Sequence, residues 1–252
     1  MSETGGMGAV QRLIGVFTSP SKTFESIAAR PGWDWLVPVV LLMIASFVLQ
    51  SVALPKVDVD QAVKEQMKIV DKMTKGNMPE EARADAERRT REGFEAGKSP
   101  VRRALNTLFI VGFILLVPAI YRGIAAAFGR KATYKRLLAG YAYTWMIYLI
   151  PIILTIFIVM SRSEVDMNEL NMGRMLKSNV AAFLDFESTS KPLLGLLSSI
   201  DVFDIWGFVV GSIAVSKMTE FTRKGAYAVV GSVWGVYTLI KVVLGALYGL
   251  VG

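Results

Sequence analysis

Two residue types that carry much of protein chemistry are missing from this 252-residue chain, which contains neither cysteine nor histidine. Without cysteine the chain has no disulfide framework and no thiolate nucleophile or thiolate metal ligand. Without histidine it lacks the commonest general base and the commonest metal ligand. The sequence also shows no phosphate-binding glycine loop, no activated nucleophile and no acidic cluster spaced for a metal within an apolar segment. The chain is therefore predicted to be non-enzymatic and to bind no cofactor.

Charge is scarce over long stretches, because charged residues are concentrated in a few blocks. Hydrophobic residues make up 53% of the sequence, and the mean hydropathy is +0.45. A helix of about twenty apolar residues reaches across the ~30 Å hydrocarbon core of a bilayer. The sequence predicts an all-α, polytopic membrane helical bundle of about five transmembrane helices, here called spans 1 to 5. The spans are placed near residues 35–54, 105–128, 137–160, 193–216 and 226–251.

An N-terminal segment, residues 1–34, is predicted to precede the five-span membrane domain, residues 35–252. Apolar residues between Val10 and Phe17 recur at helical spacing, and Ser19-Pro20 is typical of the start of another helix. Both short helices are predicted to lie at the membrane interface. The long loop 55–103 contains twelve basic and ten acidic residues and is predicted to be helical, with an amphipathic helix near its start.

The distribution of Lys and Arg between loops predicts the orientation, although two ways of counting disagree. Loops 129–136 and 217–225 together hold seven basic residues and one acidic residue. Basic short loops are typically cytoplasmic, which places the N-terminus in the cytoplasm and the C-terminus outside a cell (inner) membrane. A plain count favours the reverse, because the exterior side would then hold sixteen basic residues against ten. The net charge of +7 is interpreted as attraction to anionic lipid, and no nucleic-acid partner is expected.

Pairs of glycines four residues apart occur in spans 4 and 5, where they predict close helix packing. Folding the chain about position 221 places Gly211 opposite Gly231 and Gly207 opposite Gly235. The predicted packing residues are Gly207, Gly211, Gly231, Gly235, Gly245 and Gly249.

Three charged residues, Asp201, Asp204 and Lys241, are predicted to lie deep within spans 4 and 5. Charge at that depth is costly, so these side chains are expected to face protein or water. One interpretation is structural ion pairing or snorkelling toward the interface. The other is a proton or ion relay, which would make the protein a small transporter or channel.

Three segments carry a resemblance to a known family. They are a leader with proline and phenylalanine before span 1, a basic loop leading into span 3, and an aromatic entry to span 4. The residues concerned are Pro20, Phe24, Gly140, Tyr141, Pro151, Phe203 and Trp206. In these features the chain resembles the Yip-domain family of five-span proteins related to eukaryotic Ypt/Rab-interacting membrane proteins, and it is most similar to the short bacterial members.

The resemblance implies five spans and a cytosolic N-terminus, and for eukaryotic members it implies contact with a Rab-type GTPase. This chain lacks their long N-terminal region with its Asp-Leu-x-Gly-Pro motif and has a longer first exterior loop. Both departures argue against a Rab-type partner, and for bacterial members the family implies no settled activity.

The leading hypothesis is a membrane-organising, scaffold or trafficking-like protein that acts through helix and lipid contacts. The interfacial helices, the glycine contacts and the amphipathic part of 55–103 are the parts expected to make them. The expected partners are the lipid bilayer, a second copy of the chain, or other membrane proteins.

Overall fold

The computed structural model describes residues 7–171, 173–185 and 188–248, and in that part of the chain every regular element is a helix. This confirms the predicted all-α class. The α-helices are α1 Ala9–Thr18, α2 Pro20–Ala29, α3 Leu36–Ala53, α4 Val59–Met73, α5 Glu80–Gly97, α6 Pro100–Ala127, α7 Tyr134–Thr144, α8 Leu149–Ser161, α9 Met167–Asn171, α10 Lys191–Ser198, α11 Val202–Met218 and α12 Arg223–Tyr248. Short 3₁₀ turns occupy Leu54–Lys56, Trp145–Tyr148, Arg174–Leu176 and Val180–Phe183.

Among the described residues, four helical segments are long and apolar enough to cross a bilayer. They are Leu36–Lys56, Pro100–Ala127, Tyr134–Ser161 and Arg223–Val243, with mean hydropathies of 2.3, 2.2, 2.2 and 1.5. Large apolar side chains along them remain exposed, including Ile44, Phe109 and Phe157. Such exposed apolar surface is expected on helices that span a bilayer, because lipid tails cover apolar side chains that a water-soluble protein would bury in its core.

Predicted span 4, residues 193–216, differs from the expectation because the structure divides it into α10 and α11. The break at 199–201 has a backbone cause. The Val180 amide donates to the Ile200 carbonyl at 3.2 Å, and Asn179 forms an isolated bridge with Asp201. These bonds replace the ones that a continuous helix would make. At 17 residues, α11 is about 25 Å long, slightly less than the hydrocarbon thickness.

Pro151 lies in the first turn of α8, directly after the 3₁₀ turn Trp145–Tyr148. Proline has no amide hydrogen to donate to the carbonyl four residues earlier, so the backbone before it tightens into 3₁₀ geometry. The helical segment nevertheless continues, and Tyr134–Ser161 keeps the length of a span.

The described residues form two compact units. The first unit comprises 7–46, 107–152 and 202–236, and the second comprises 47–106, 153–201 and 237–248. In the first unit, α11 packs most extensively against α7 and α2. Phe24, Ile27 and Tyr143 are fully buried there, among apolar residues of α1, α2, α7 and α11.

In the second unit, α4 and α5 form an antiparallel hairpin. Val59, Val63 and Met67 of α4 are buried, with Phe94 of α5 packed against them. Ion pairs flank this apolar contact, and Arg83 lowers the pKa of Asp71 through a hydrogen bond at 3.1 Å. The amphipathic helix predicted near 58–75 is thus present as α4, but its apolar face is occupied by α5. We therefore do not assign α4 a role at the lipid surface.

The second unit also has a lysine cap. Lys56 Nζ donates to the carbonyls of Val159, Met160 and Arg162 at 2.8, 3.3 and 2.6 Å, at the end of α8. A cation at a helix C-terminus satisfies carbonyls that lack intrahelical partners and opposes the negative end of the helix dipole.

The α4–α5 contact makes a prediction for Val63. Val63→Ala removes two buried carbon atoms, so we expect local opening of the hairpin to become easier by about 2 kcal/mol. Hydrogen–deuterium exchange of the full chain in lipid nanodiscs measures this as faster exchange in 59–97. Lys64→Ala, at the neighbouring exposed position, is the matched control. Equal exchange in both variants would show that α4 does not depend on α5.

Candidate functional site

The first unit contains a buried ion pair that joins the N-terminal helices to the bundle. Arg12 of α1 is only 5% exposed, and its Nη1 lies 2.7 Å from Asp34 Oδ2. Tyr143 of α7, which is fully buried, donates its hydroxyl to the same oxygen at 2.8 Å. We call Arg12, Asp34 and Tyr143 the anchor cluster.

The second guanidinium nitrogen of Arg12 closes the end of α2. Its Nη2 donates to the carbonyls of Ser26 and Arg30 at 3.1 and 3.3 Å, and to Ser26 Oγ at 3.3 Å. These carbonyls belong to the C-terminal turn of α2, where a cation is electrostatically favourable. One side chain of α1 thus contacts both α2 and the residue before span 1, and Asp34 extends the cluster to Tyr143 of α7.

Burial determines the energetics of the anchor cluster. Removing two charges from water costs several kcal/mol per ion, which the pair recovers only when the remaining donors and acceptors are satisfied. Here Asp34 receives two hydrogen bonds, and both terminal nitrogens of Arg12 donate, whereas Arg12 Nε is buried without a hydrogen-bond partner among the described residues. The geometry therefore penalises any arrangement that separates α1 from Asp34.

Two further contacts fix α1 and α2. At Gly15 of α1 a Cβ atom would overlap the side chain of fully buried Thr23, so glycine lets Thr23 of α2 pack directly on the backbone of α1. Phe17 meets Trp206 of α11 edge to face, with ring centroids 5.9 Å apart. The predicted N-terminal helices are therefore part of the packed structure of the first unit.

Four of the predicted packing glycines lie in described parts of α11 and α12. A Cβ atom on Gly207 would lie 2.8 Å from Tyr148 Oη, and one on Gly211 would lie 3.5 Å from Thr144 Cγ2. Gly207 thus faces span 3, and Gly211 lies between span 3 and α12, because a Cβ atom there would also lie 3.9 Å from Val230 Cγ1. Gly231 of α12 faces the Phe208 ring at 3.5 Å, whereas Gly235 would meet nothing within 4 Å. Gly211 and Gly231 thus lie in the contact between α11 and α12, where each meets a side chain of the other helix, Val230 and Phe208 respectively. A glycine-lined contact between spans 4 and 5 stays a prediction.

Two of the six glycines give no contact information. Gly249 lies outside the described residues, and Gly245 lies in α12 at a position whose surroundings are not described. Their proposed packing role stays a prediction.

The three predicted buried charges are half-buried. Lys241 Nζ donates to Ser198 Oγ at 2.8 Å, and Asp201 accepts a hydrogen bond from Ser178 Oγ. Asp204 lies in the first turn of α11, where a carboxylate complements the positive end of the helix dipole. These contacts suit a structural role for each residue.

The residues of the family-like motifs occupy packing positions. Pro20 is the first residue of α2, and Phe24 is fully buried in the first unit. Trp206 packs on Phe17, and its neighbour Phe203 is half-buried in α11. Tyr141 lies between Tyr121 and Trp145, with ring centroids 6.0 and 6.1 Å away. At Gly140 a Cβ atom would lie 2.8 Å from Met218 Cε, so glycine permits close contact with the end of α11.

A small apolar cavity in the first unit has a volume of about 10 Å³, which is room for roughly one water molecule and far below the 300–1,000 Å³ usual for small-molecule sites. Its lining residues are Tyr121, Leu137, Tyr141, Thr144, Gly211, Ala214, Val215 and Met218. Within the described residues, no group of three or more acidic side chains is arranged to hold a metal ion.

Comparison with known proteins supplies the family. The profile of the Yip1 domain matches residues 14–245, a range that begins inside α1 and ends inside α12. The chain belongs to the Yip1-domain family. This confirms the resemblance drawn from the proline and aromatic motifs.

A relative of this Yip1-domain chain is the membrane protein YknW of Bacillus subtilis (strain 168). The two are 25% identical over 247 residues, which cover 95% of this chain and 92% of YknW. A membrane protein relative of nearly the same extent supports a membrane location here. No solved structure matches the fold.

The anchor cluster was missed at the level of sequence. Arg12 lies among apolar residues of a short helix, and Asp34 stands between Trp33 and Trp35. Charges in such apolar settings were the available signal. Arg12 and Asp34 are 22 residues apart in the sequence, and Asp34 and Tyr143 are 109 residues apart. No local sequence pattern predicts contacts over such separations.

Removing Asp34 tests the anchor cluster. Asp34→Ala leaves the Arg12 guanidinium buried without its counterion, so we expect a loss of about 3–5 kcal/mol. Glu25→Ala, which removes the exposed partner of Lys217 in the same unit, should cost at most about 1 kcal/mol. Thermal unfolding in detergent micelles, combined with hydrogen–deuterium exchange of 9–29, gives both values.

A double substitution separates lost charge from lost fold. Arg12→Met with Asp34→Leu replaces the pair by apolar groups, and we expect it to recover much of the stability lost in Asp34→Ala. Losses of equal size in Asp34→Ala and Glu25→Ala would contradict the anchoring role.

Proposed function

We propose that this Yip1-domain protein is a non-enzymatic membrane-organising protein that acts through an interfacial helix, α1, held beside its span bundle. The single observation that carries this proposal is the contact between Arg12 and Asp34. Asp34 stands two residues before Leu36, where the first span-length helix begins. The contact therefore keeps α1 level with the start of a span, at the boundary of the hydrocarbon.

The outer face of α1 fits that boundary. Val10 and Ile14, one helical turn apart, are 68% and 59% exposed, and Trp33 is 73% exposed. Apolar side chains on an interfacial helix enter the headgroup region, and tryptophan favours the same depth. Because lipid adjoins the neighbouring span, we assign this face to lipid. A helix fixed there changes lipid packing around the protein without any catalytic step.

The alternative, a small transporter or channel built on Lys241 with Asp201 and Asp204, has weaker support. Lys241 is engaged by Ser198 and Asp201 by Ser178, and Asp204 stabilises the start of α11. Each contact gives its charge a local structural partner. We therefore keep the membrane-organising role as the proposed function.

Serine substitutions on the outer face of α1 test the proposal. Val10→Ser with Ile14→Ser leaves the buried face of α1 intact but removes the apolar groups that would enter lipid. We expect reconstituted wild-type protein to shift vesicle diameter and lipid order, and this variant to lose at least half of the shift. Cryo-electron microscopy of vesicles and an order-sensitive lipid dye, at equal protein-to-lipid ratio, measure it.

The control is Gln11→Ser with Thr18→Ser, at exposed polar positions of the same helix. It should behave as the wild type. The proposal fails if the wild-type protein leaves vesicle diameter and lipid order unchanged, or if both variants act alike. Native mass spectrometry from nanodiscs tests in addition whether the chain assembles with a second copy.

We further propose that the N-terminus is cytoplasmic, which places loops 129–136 and 217–225 on the cytoplasmic side. The chain contains no cysteine, so single cysteines report without background. In right-side-out vesicles we expect Lys75→Cys to react with an impermeant maleimide, and Lys131→Cys to react only after permeabilisation. The opposite labelling pattern would reverse the orientation.

A further inference from the structure

Two short loops of the first unit, residues 128–133 and 219–222 with the helix starts that follow them, are brought together by the fold. Ala132 and Thr219 form an antiparallel bridge, and the Lys131 amide donates to Glu220 Oε2 at 3.2 Å. The rings of Phe128 and Phe221 meet edge to face at 6.0 Å. Loops that lie 89 residues apart in sequence thus form one surface.

This surface is strongly basic. Its side chains Arg130, Lys131, Lys135, Arg136, Arg223 and Lys224 are all exposed, and none of the six makes an ion pair with another described residue. Glu220 is the acidic residue within these loops, and its carboxylate accepts the Lys131 amide. In α5, by contrast, Arg83, Arg88 and Arg91 all pair with carboxylates.

The position of this basic surface, at the ends of spans, indicates which kind of partner it binds. Arg130 follows the end of the span-length helix Pro100–Ala127 by three residues, Lys135 lies in the first turn of Tyr134–Ser161, and Arg223 begins Arg223–Val243. Three span ends therefore hold these cations at the level of lipid headgroups. Exposed Phe128 adds an apolar side chain suited to that depth. An acidic protein or nucleic acid would not require cations at span ends.

We propose that this two-loop basic surface binds the phosphate groups of anionic phospholipids and so selects the lipids that surround the protein. This inference rests on the proposed function and extends it, because it names the class of lipid that the membrane-organising protein binds. Clusters of four to eight basic residues beside a span bind anionic lipid electrostatically, with roughly fivefold tighter binding for each cation at the surface.

The test compares two triple variants of the full chain in nanodiscs that contain equal amounts of phosphatidylglycerol and phosphatidylcholine. Arg130→Gln, Lys131→Gln and Arg223→Gln remove three cations from the surface. Lys64→Gln, Lys75→Gln and Arg89→Gln remove the same charge from the α4–α5 hairpin. Native mass spectrometry of the released protein counts the retained lipids.

We expect the wild type and the hairpin variant to retain phosphatidylglycerol preferentially, and the surface variant to lose that preference about tenfold or more at low salt. Arg130→Lys with Arg223→Lys keeps the charge and should keep the preference, which separates lost charge from lost fold. Circular dichroism checks that every variant remains helical.

Equal lipid retention in the two triple variants would overturn the proposal. Displacement of the bound lipid by millimolar glycerol phosphate or inorganic phosphate would also overturn it, by assigning the surface to a soluble phosphate. The test is independent of the vesicle experiment on α1. If the protein prefers phosphatidylglycerol but leaves vesicle shape unchanged, the proposed function alone is contradicted. If it changes vesicle shape but shows no preference for phosphatidylglycerol, this inference alone is contradicted.

Discussion

A guanidinium taken out of water requires a counterion and acceptors for its hydrogens. In this protein the two terminal nitrogens of Arg12 have such partners, and its Nε is buried without one among the described residues. The partners of Arg12 come from three places in the sequence: the end of α2, the residue before span 1, and, through Asp34, the hydroxyl of Tyr143. Because an unmatched charge would cost more than most single contacts, these partners have to stay together. The location of α1, and with it the proposed role at the lipid boundary, depends on this cluster.

Close backbone approach is the second organising feature of the first unit. Gly15 lets α1 meet α2 at Thr23, and Gly207 leaves room for Tyr148 against α11. In lipid the hydrophobic effect does not draw helices together, so contacts of this kind carry much of the helix association. The row of rings from Tyr121 through Tyr141 to Trp145 extends the same packing.

Charge is distributed in two distinct ways along the chain. In the α4–α5 hairpin, arginines and carboxylates alternate and neutralise one another around a covered apolar stripe. In loop 128–133 and at the starts of α7 and α12, described cations stand without carboxylate partners at the ends of spans. The first pattern stabilises a solvated element, whereas the second leaves a field that anionic lipid can neutralise. The plain count of Lys and Arg gives both patterns equal weight, whereas the proposed orientation depends on the second pattern alone.

The sequence by itself determined the class of the protein. Long apolar segments, the absence of cysteine and histidine, and the proline and aromatic motifs sufficed for an all-helical membrane protein of the Yip1-domain family, because hydropathy, helix length and local motifs are properties of neighbouring residues. Only the tertiary structure decided that Gly207 faces Tyr148, that α5 covers α4, that bonds from 179–180 interrupt span 4, and that Arg12 pairs with Asp34. Each of these contacts joins residues that are distant along the chain. Such contacts depend on which faces of the helices meet, and packing and the cost of unpaired polar groups determine that.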